Sequence, residues 1–479
     1  MLEESLFFTS AIELARLFRA RDLSPVELVA AVLERASQLH GSLNCFITLT
    51  PERAMEEARM AEARFQADQP LGVLDGIPFS VKDLVNTADV RTTFGTLVLK
   101  ENVPSADTVS VARLRDAGAI LIGKTTTPEF GSGPLTNSPL FGSTRNPWNL
   151  DRTCGGSSGG AAAAIAAGIA PLAVATDGGG STRIPAACCG VVGFKQSIGV
   201  IPHGQAQDIF SNQTYVTPMT RDVMDTALML DVMRGSFPLD PWSVGLRDQD
   251  YVSAARRPGT LVGKRVLYCA VPPGRIVAQA VQQVFDAALT KLTGLGAIVE
   301  PFDGEGFNVE PIWRAINHTM WRARFQGMVE KAPAQFSEAF KRQLASASAI
   351  SGVDYLEAMF ARSELFKRVQ CLFERADFLV MPTLTRSALP LRQELFDPIE
   401  IDGAMRDGLR GSWYPWTMLF NMTGHPAVSL PMGLDREGMP LGLQLVGRLQ
   451  GDADLIGAAS LFEQEARCVP SKPSLASLL

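Results

Sequence analysis

The stretch CGGSSGGAAAAIAAGIAPLAVATDGGGSTRIPAACCGVVGFKQSIG, from Cys154 to Gly199, decides how the chain is read. Two glycine-hinged serine clusters, Ser157-Ser158 and Ser181, flank one alanine-rich helical pattern. Glycines on either side of a serine let backbone N–H groups turn inward toward developing negative charge. A serine beside such a hole points to acyl transfer. From Cys154 to Thr176 the run carries no charge and approaches membrane-span length, but glycine, serine and alanine are only weakly apolar. It is expected to form a buried loop and helix.

Upstream, Ser24 precedes Pro25 at a first helical position, Glu27 completes a capping box, and Val29, Val32, Leu33 and Ala36 share one face, which predicts a helix. A second helix is expected from Pro51 to about Gln66. Residues 76–83, GIPFSVKD, read as a short strand that delivers Lys82, and residues 111–124 as helix, turn and apolar strand. Downstream, residues 224–234 are helical and 236–258 form a connection rich in proline, glycine and charge. Residues 264–271, 275–292 and 297–302 then read as strand, amphipathic helix and strand. The segment 307–373 is mostly helical, and its Trp313, Met320, Trp321, Phe325, Met328 and Phe340 either line a pocket or pack among themselves. Strand character returns at 377–381, 426–432 and 441–446. The rhythm is that of an α/β fold.

Composition fits a soluble, globular protein: 46% of the 479 residues are apolar and 20% charged. A net charge of −6 provides no basic stripe for phosphates, so no nucleic-acid partner is expected. The seven cysteines, at 45, 154, 188, 189, 269, 371 and 468, are scattered without a CxxC pair, which predicts reduced, buried thiols rather than a disulfide frame or a zinc site. The acidic start MLEESLFF has neither the basic nor the apolar part of an export signal, so a cytoplasmic protein without membrane attachment is expected.

The loop GGSSGG before a helix admits a phosphate cradle, a structural turn or a nucleophile loop. No GK[ST] closes it and no GxGxxG with a ribose-binding acid follows, which disfavours a nucleotide site. Nucleophilic catalysis needs a base. The four histidines, His40, His203, His318 and His425, sit in no triad setting, and there is no GxSxG elbow. A lysine made neutral by burial is the better candidate, and Lys82 ends an apolar strand pattern.

These residues resemble the amidase signature family. The resemblance rests on GGSSGG, DGGGSTRIPA and CGVVGFK, with GIPFSVKD upstream, GSTRNPWN just before them and FNMTGHPAVSLP near the C-terminus, and it spans almost the whole chain. It departs at Gln196, where the family commonly has proline after the lysine. The resemblance implies a single large α/β domain with a central mixed sheet flanked by helices on both faces and a helical specificity insertion. Within it, 1–70 would be N-terminal helices, 71–235 the signature core, 236–395 the variable, mostly helical part, and 396–479 the return to the core.

By resemblance Ser181 is the nucleophile, Ser157 the bridging serine preceded by a cis peptide bond, and Lys82 the base. Backbone N–H groups of Gly178, Gly179, Gly180 and Ser181 would form the oxyanion hole, with Gly131 lining the substrate site and Ser158, Asp177 and Arg183 bracing it. No metal or cofactor is implied. The implied reaction is hydrolysis of a small neutral amide, aryl or alkyl, with esters or carbamates as side substrates and a homodimer as the expected assembly. The family also contains the glutaminase subunit of tRNA-dependent amidotransferases. Those subunits typically carry an acid seven positions before the asparagine of the NxxG element to hold an ammonium, whereas here that position, before Asn421, is Tyr414. The surrounding Trp413, Trp416, Met418 and Phe420 would suit an apolar or aromatic substrate if they face the pocket.

Overall fold

A computed structural model describes residues 3–465 and 472–475. Eleven strands form one mixed sheet: β1 (Phe46–Leu49), β2 (Pro78–Lys82), β3 (Ile120–Thr125), β4 (Leu172–Asp177), β5 (Val192–Lys195), β6 (Tyr215–Thr220), β7 (Arg265–Tyr268), β8 (Ile298–Pro301), β9 (Phe378–Pro382), β10 (Ala427–Leu434) and β11 (Pro440–Gly447). Their order across the sheet is β1-β3-β2-β4-β6-β5-β10-β11-β9-β7-β8. β2 runs parallel to both β3 and β4, while β6, β5, β10, β11 and β9 pair antiparallel in turn. The chain is a single α/β domain whose sheet is flanked by helices.

Two local choices position the site. Every residue of β2 is buried because parallel neighbours cover both its edges and helices its faces, so its end delivers Lys82 into the interior. The helix Gly159–Ala166 is buried on all sides and packs against β2, β3, β4 and β6. At its start only glycine fits: a Cβ on Gly160 would meet the Thr126 backbone nitrogen and lie 2.6 Å from the Cys45 oxygen. The Ser24 capping box forms, with Ser24 Oγ accepting from Val26 N at 3.0 Å and Glu27 Oε2 from Ser24 N at 3.0 Å, and the second helix spans Pro51–Gln66.

The run 154–176 corrects the expected loop and helix. The helix ends at Ala166, Gly168 turns left-handed at φ +68°, and Leu172–Asp177 is a central strand. A strand buried on both faces shows no apolar-polar alternation, which is why the run read as helix. β6 went unread because Pro218 lies inside it, and β5 reaches only Met219 and Thr220, so Pro218 is laddered from one side. The edge strand β1 was also unread. The connection 236–258 contains a helix, Tyr251–Arg256, whose N-cap Asp250 accepts from Ser253 N at 2.8 Å. The helix read over 275–292 begins at Gln279 and ends at Gly294. Cys45, Cys154, Cys188, Cys189 and Cys269 are buried, but Cys371 is exposed, because its helix turns that position outward. Cys468 lies outside the described residues. Among the described residues no helix is long and apolar enough to cross a membrane.

Candidate active site

Lys82 and Asp177 end parallel neighbours β2 and β4, so both reach the same edge of the sheet. Ser157 and Ser158 lead into the helix Gly159–Ala166, and Ser181 leads into Arg183–Cys189. The Ser158 N–H donates to the Ser181 carbonyl at 3.0 Å, which ties the two loops together. The Gly156–Ser157 peptide bond is cis.

Lys82 is 0% exposed. Its Nζ lies 2.7 Å from Ser157 Oγ, 2.8 Å from Ser158 Oγ and 2.9 Å from Thr176 Oγ1, with no carboxylate among these partners. Burial pushes its pKa well below the usual lysine value, and the charge of nearby Asp177 opposes that only in part. Ser158 Oγ donates to the Thr176 carbonyl at 3.1 Å, so it receives a hydrogen from Lys82. If Thr176 Oγ1 takes the other hydrogen of a neutral amine, the nitrogen lone pair faces Ser157.

Ser181 shares with Ser157 a cavity lined by Phe130, Gly131, Trp313, Trp321, Arg410 and Tyr414, among others. Its hydroxyl makes no hydrogen bond to a described residue. The glycine loop before it is held from outside: Trp313 Nε1 donates to the Gly178 carbonyl at 2.8 Å and Thr417 Oγ1 to the Gly179 carbonyl at 2.7 Å. Because a trans peptide points its N–H opposite its carbonyl, these bonds fix the directions of the Gly179 and Gly180 N–H groups. The Gly180 N–H is given to Asp177 Oδ1 at 2.6 Å. Those of Gly178, Gly179 and Ser181 have no acceptor among the described residues.

Asp177 and Arg183 form a buried pair, with Nε to Oδ2 at 2.9 Å and Nη2 to Oδ1 at 3.0 Å. Arg183 also donates to Asn421 Oδ1 at 2.6 Å and Gln444 Oε1 at 2.7 Å, while Asn421 Nδ2 returns a bond to Asp177 Oδ1 at 2.9 Å. Although burial opposes it, the guanidinium and these donors hold the Asp177 carboxyl well below the ordinary carboxylate range. Gly131 sits at φ +68°, and a Cβ there would come 2.6 Å from Leu84 Cδ1 and 3.2 Å from Ser157 Oγ.

Of the aromatic candidates, Trp313 and Trp321 reach the cavity, whereas Phe325 and Phe340 pack against Phe130, with ring centroids 4.0 and 5.4 Å away. From the segment 413–420 only Tyr414 reaches it; Trp416 and Met418 line a separate cavity with Phe307. Thr176, Phe130 and Arg410 were missed by sequence reasoning. Thr176 and Phe130 stand beside residues that were singled out, Asp177 and Gly131, but nothing in GLRGSW marks Arg410 as buried. His203, His318 and His425 are outside the lysine-serine cluster, and burial pushes their pKa values down to about 4, 3 and 3. Among the described residues no group of three or more His, Cys, Asp or Glu is placed to hold a metal ion.

Residues 27–456 match the Amidase family. An acylamidase from Rhodococcus erythropolis is 35% identical over 479 residues, covering 99% of each chain. A component of the glutamyl-tRNA(Gln) amidotransferase from Moorella thermoacetica is 34% identical, covering 98% of this chain and 99% of that one. The crystal structure of a bacterial aryl acylamidase superposes with a TM-score of 0.90 at 30% identity, covering 96% of this chain and 97% of that one. Fold and relatives together define an amide C–N hydrolase. The chain belongs to the amidase signature family.

Proposed function

We propose that this protein hydrolyses small amides through an acyl-enzyme on Ser181, with Ser157 relaying protons to and from Lys82. The observation that carries the proposal is a fully buried Lys82 bonded only to hydroxyls, one of them Ser157 Oγ at 2.7 Å. A neutral amine there accepts the Ser157 proton while Ser157 Oγ takes the proton of Ser181. Ser181 Oγ attacks the amide carbon, and the N–H groups of Gly178, Gly179 and Ser181 receive the oxyanion. A donor of this kind is worth about 2.7–4 kcal/mol in the transition state. The C–N bond then breaks as the proton returns from Lys82 through Ser157 to the leaving nitrogen. Water, deprotonated by the same relay, releases the acid and restores Ser181.

Phe130, Trp313, Trp321 and Tyr414 supply aromatic walls that favour an aryl or alkyl group. The likeness to the bacterial aryl acylamidase supports an aryl group there. A second reading, glutamine hydrolysis within an amidotransferase, is favoured by the Moorella relative. Tyr414 speaks against it: its Oη accepts from Arg410 Nη1 at 2.8 Å, leaving no carboxylate to hold an ammonium at that position.

Wild type and Ser181→Ala are to be compared on anilides, aliphatic amides, aryl carbamates and glutamine, with intact mass spectrometry for the acyl-enzyme. Anilide turnover and an acyl adduct, both absent from Ser181→Ala, are expected. Turnover that survives in Ser181→Ala refutes the assigned nucleophile, and turnover of glutamine alone favours the second reading.

A further inference from the structure

Arg410 is the only charged side chain among the described residues that line the cavity of Ser157 and Ser181. It is 8% exposed, and no carboxylate among the described residues lies within ion-pairing distance of it. Its acceptors are all neutral: Tyr414 Oη at 2.8 Å, the Ser132 carbonyl at 3.0 Å and Gln343 Oε1 at 2.5 Å. The guanidinium also lies over the Trp313 ring, 4.9 Å from its centroid. These contacts use three of its five N–H donors, leaving Nε–H and one hydrogen of Nη1 without an acceptor among the described residues.

A buried cation is ordinarily paired, because removing it from water is costly and neutral dipoles offset that cost only in part. Arg183, a few residues from Ser181, shows how the chain treats such a charge, giving it the Asp177 carboxylate. Arg410 has no such partner and faces the space in which the substrate must sit. Its neutral contacts, from the 132 loop, the helix Glu338–Ser346 and Tyr414, hold the guanidinium in place without cancelling its charge. The cavity wall offers an anion one fixed positive charge and spare donors, and it offers a cation no carboxylate.

We infer that Arg410 is a specificity residue that binds a carboxylate carried by the substrate, so that the preferred substrates are amides bearing a free carboxylate rather than neutral amides. This inference rests on the proposed amide hydrolysis and names its substrate class. Two kinds of molecule share that chemistry: a monoamide of a dicarboxylic acid, with the charge on the acyl side, and an acylated amino acid, with the charge on the amine side. Charge-assisted hydrogen bonds of this type discriminate by about tenfold or more.

The test uses three anilides: butananilide, succinanilate with its carboxylate on the acyl side, and 4-butanamidobenzoate with its carboxylate on the amine side. The readout is kcat/KM for each carboxylate relative to butananilide. In wild type one carboxylate is expected to be favoured by about tenfold or more, and which one tells on which side of the scissile bond Arg410 lies. The ratio is expected to collapse in Arg410→Gln and to be partly retained in Arg410→Lys. An Arg410 that serves only to clamp three segments leaves the ratio unchanged in both variants, and a wild type that prefers butananilide overturns the inference outright. Calorimetric binding of the same three compounds to Ser181→Ala supplies a readout independent of turnover and of the Arg410 variants' folding; there too, tighter binding of butananilide overturns the inference. If wild type hydrolyses none of the three, the amide reading of these substrates fails, and the binding order still decides the role of Arg410.

Discussion

Replacing Lys82 with Met tests the central claim about the site, that its amine is uncharged in the folded protein. Unfolded, the side chain titrates near its ordinary value of 10.5; folded, burial pushes it well below. Between the two values the unfolded chain holds one proton more than the folded chain, so wild-type stability rises with pH. The slope from this group is about 1.4 kcal/mol per pH unit. Met has no proton to lose, and every other titrating group is common to both proteins. The stability of wild type minus that of Lys82→Met is therefore expected to climb with pH, by up to about 1.4 kcal/mol for each unit, over the range between the depressed folded value and 10.5. At the low end Lys82→Met is favoured by escape from the buried amine, and is opposed by losing three hydrogen bonds worth about 1 kcal/mol each. Urea unfolding of both proteins at pH 7, 8 and 9, followed by tryptophan fluorescence, measures the difference. Activity is expected to fall by about 10²–10⁴-fold, the usual worth of a positioned base. A stability difference that does not change with pH would show that Lys82 is protonated when folded, and the relay through Ser157 would lose its base.

Two further substitutions probe the supports. Gly131→Ala forces a side chain into a left-handed conformation, costing about 1–2 kcal/mol in urea unfolding. Its Cβ, 3.2 Å from Ser157 Oγ, is expected to lower kcat about tenfold, and an unchanged kcat would mean that Ser157 is not held from this side. Arg183→Gln strands the Asp177 carboxylate, with a loss of about 3–5 kcal/mol in stability. Because the Asp177 charge favours protonation of Lys82, the acid limb of kcat/KM is expected to move to higher pH; a limb that stays in place would limit Arg183 to shaping the loop.

The serines stood out because glycines crowd around Ser157 and Ser181, whereas Lys82 ends an apolar strand pattern as Lys124 does, and only the resemblance to the family singled it out as a base. Secondary structure was legible where one face meets water, as in the helices Pro25–Leu43 and Pro51–Gln66, and in buried strands with bulky apolar residues, as in Pro78–Lys82, but failed at Leu172–Asp177, where small residues continue the alanine-rich run of the preceding helix. The pocket was less legible. Whether Trp313 or Trp416 reaches the cavity depends on packing between segments about a hundred residues apart, and both look alike as sequence. Trp313 proves to hold the Gly178 carbonyl, a contact across 135 positions that no local pattern encodes. Gly180 was grouped with its neighbours as an inward donor, and only the fold gives its N–H to Asp177.

The placement of Asp177 links these parts. Its charge near Lys82 would favour a protonated, inert amine, and its carboxylate is instead occupied by Arg183, Asn421 and the Gly180 N–H. The bond to Gly180 also sets the turn that presents Ser181 to the cavity. One buried pair thus shapes the glycine loop and blunts the field that would charge the base. With Asp177 paired to Arg183 and burial driving Lys82 toward its neutral form, Arg410 is the one charged side chain among the described residues that line the cavity. An amide that brings a carboxylate to that point completes the electrostatics of the pocket, while an amide that brings an ammonium finds Tyr414, bonded to the Arg410 cation, where the glutaminase subunits typically present an acid.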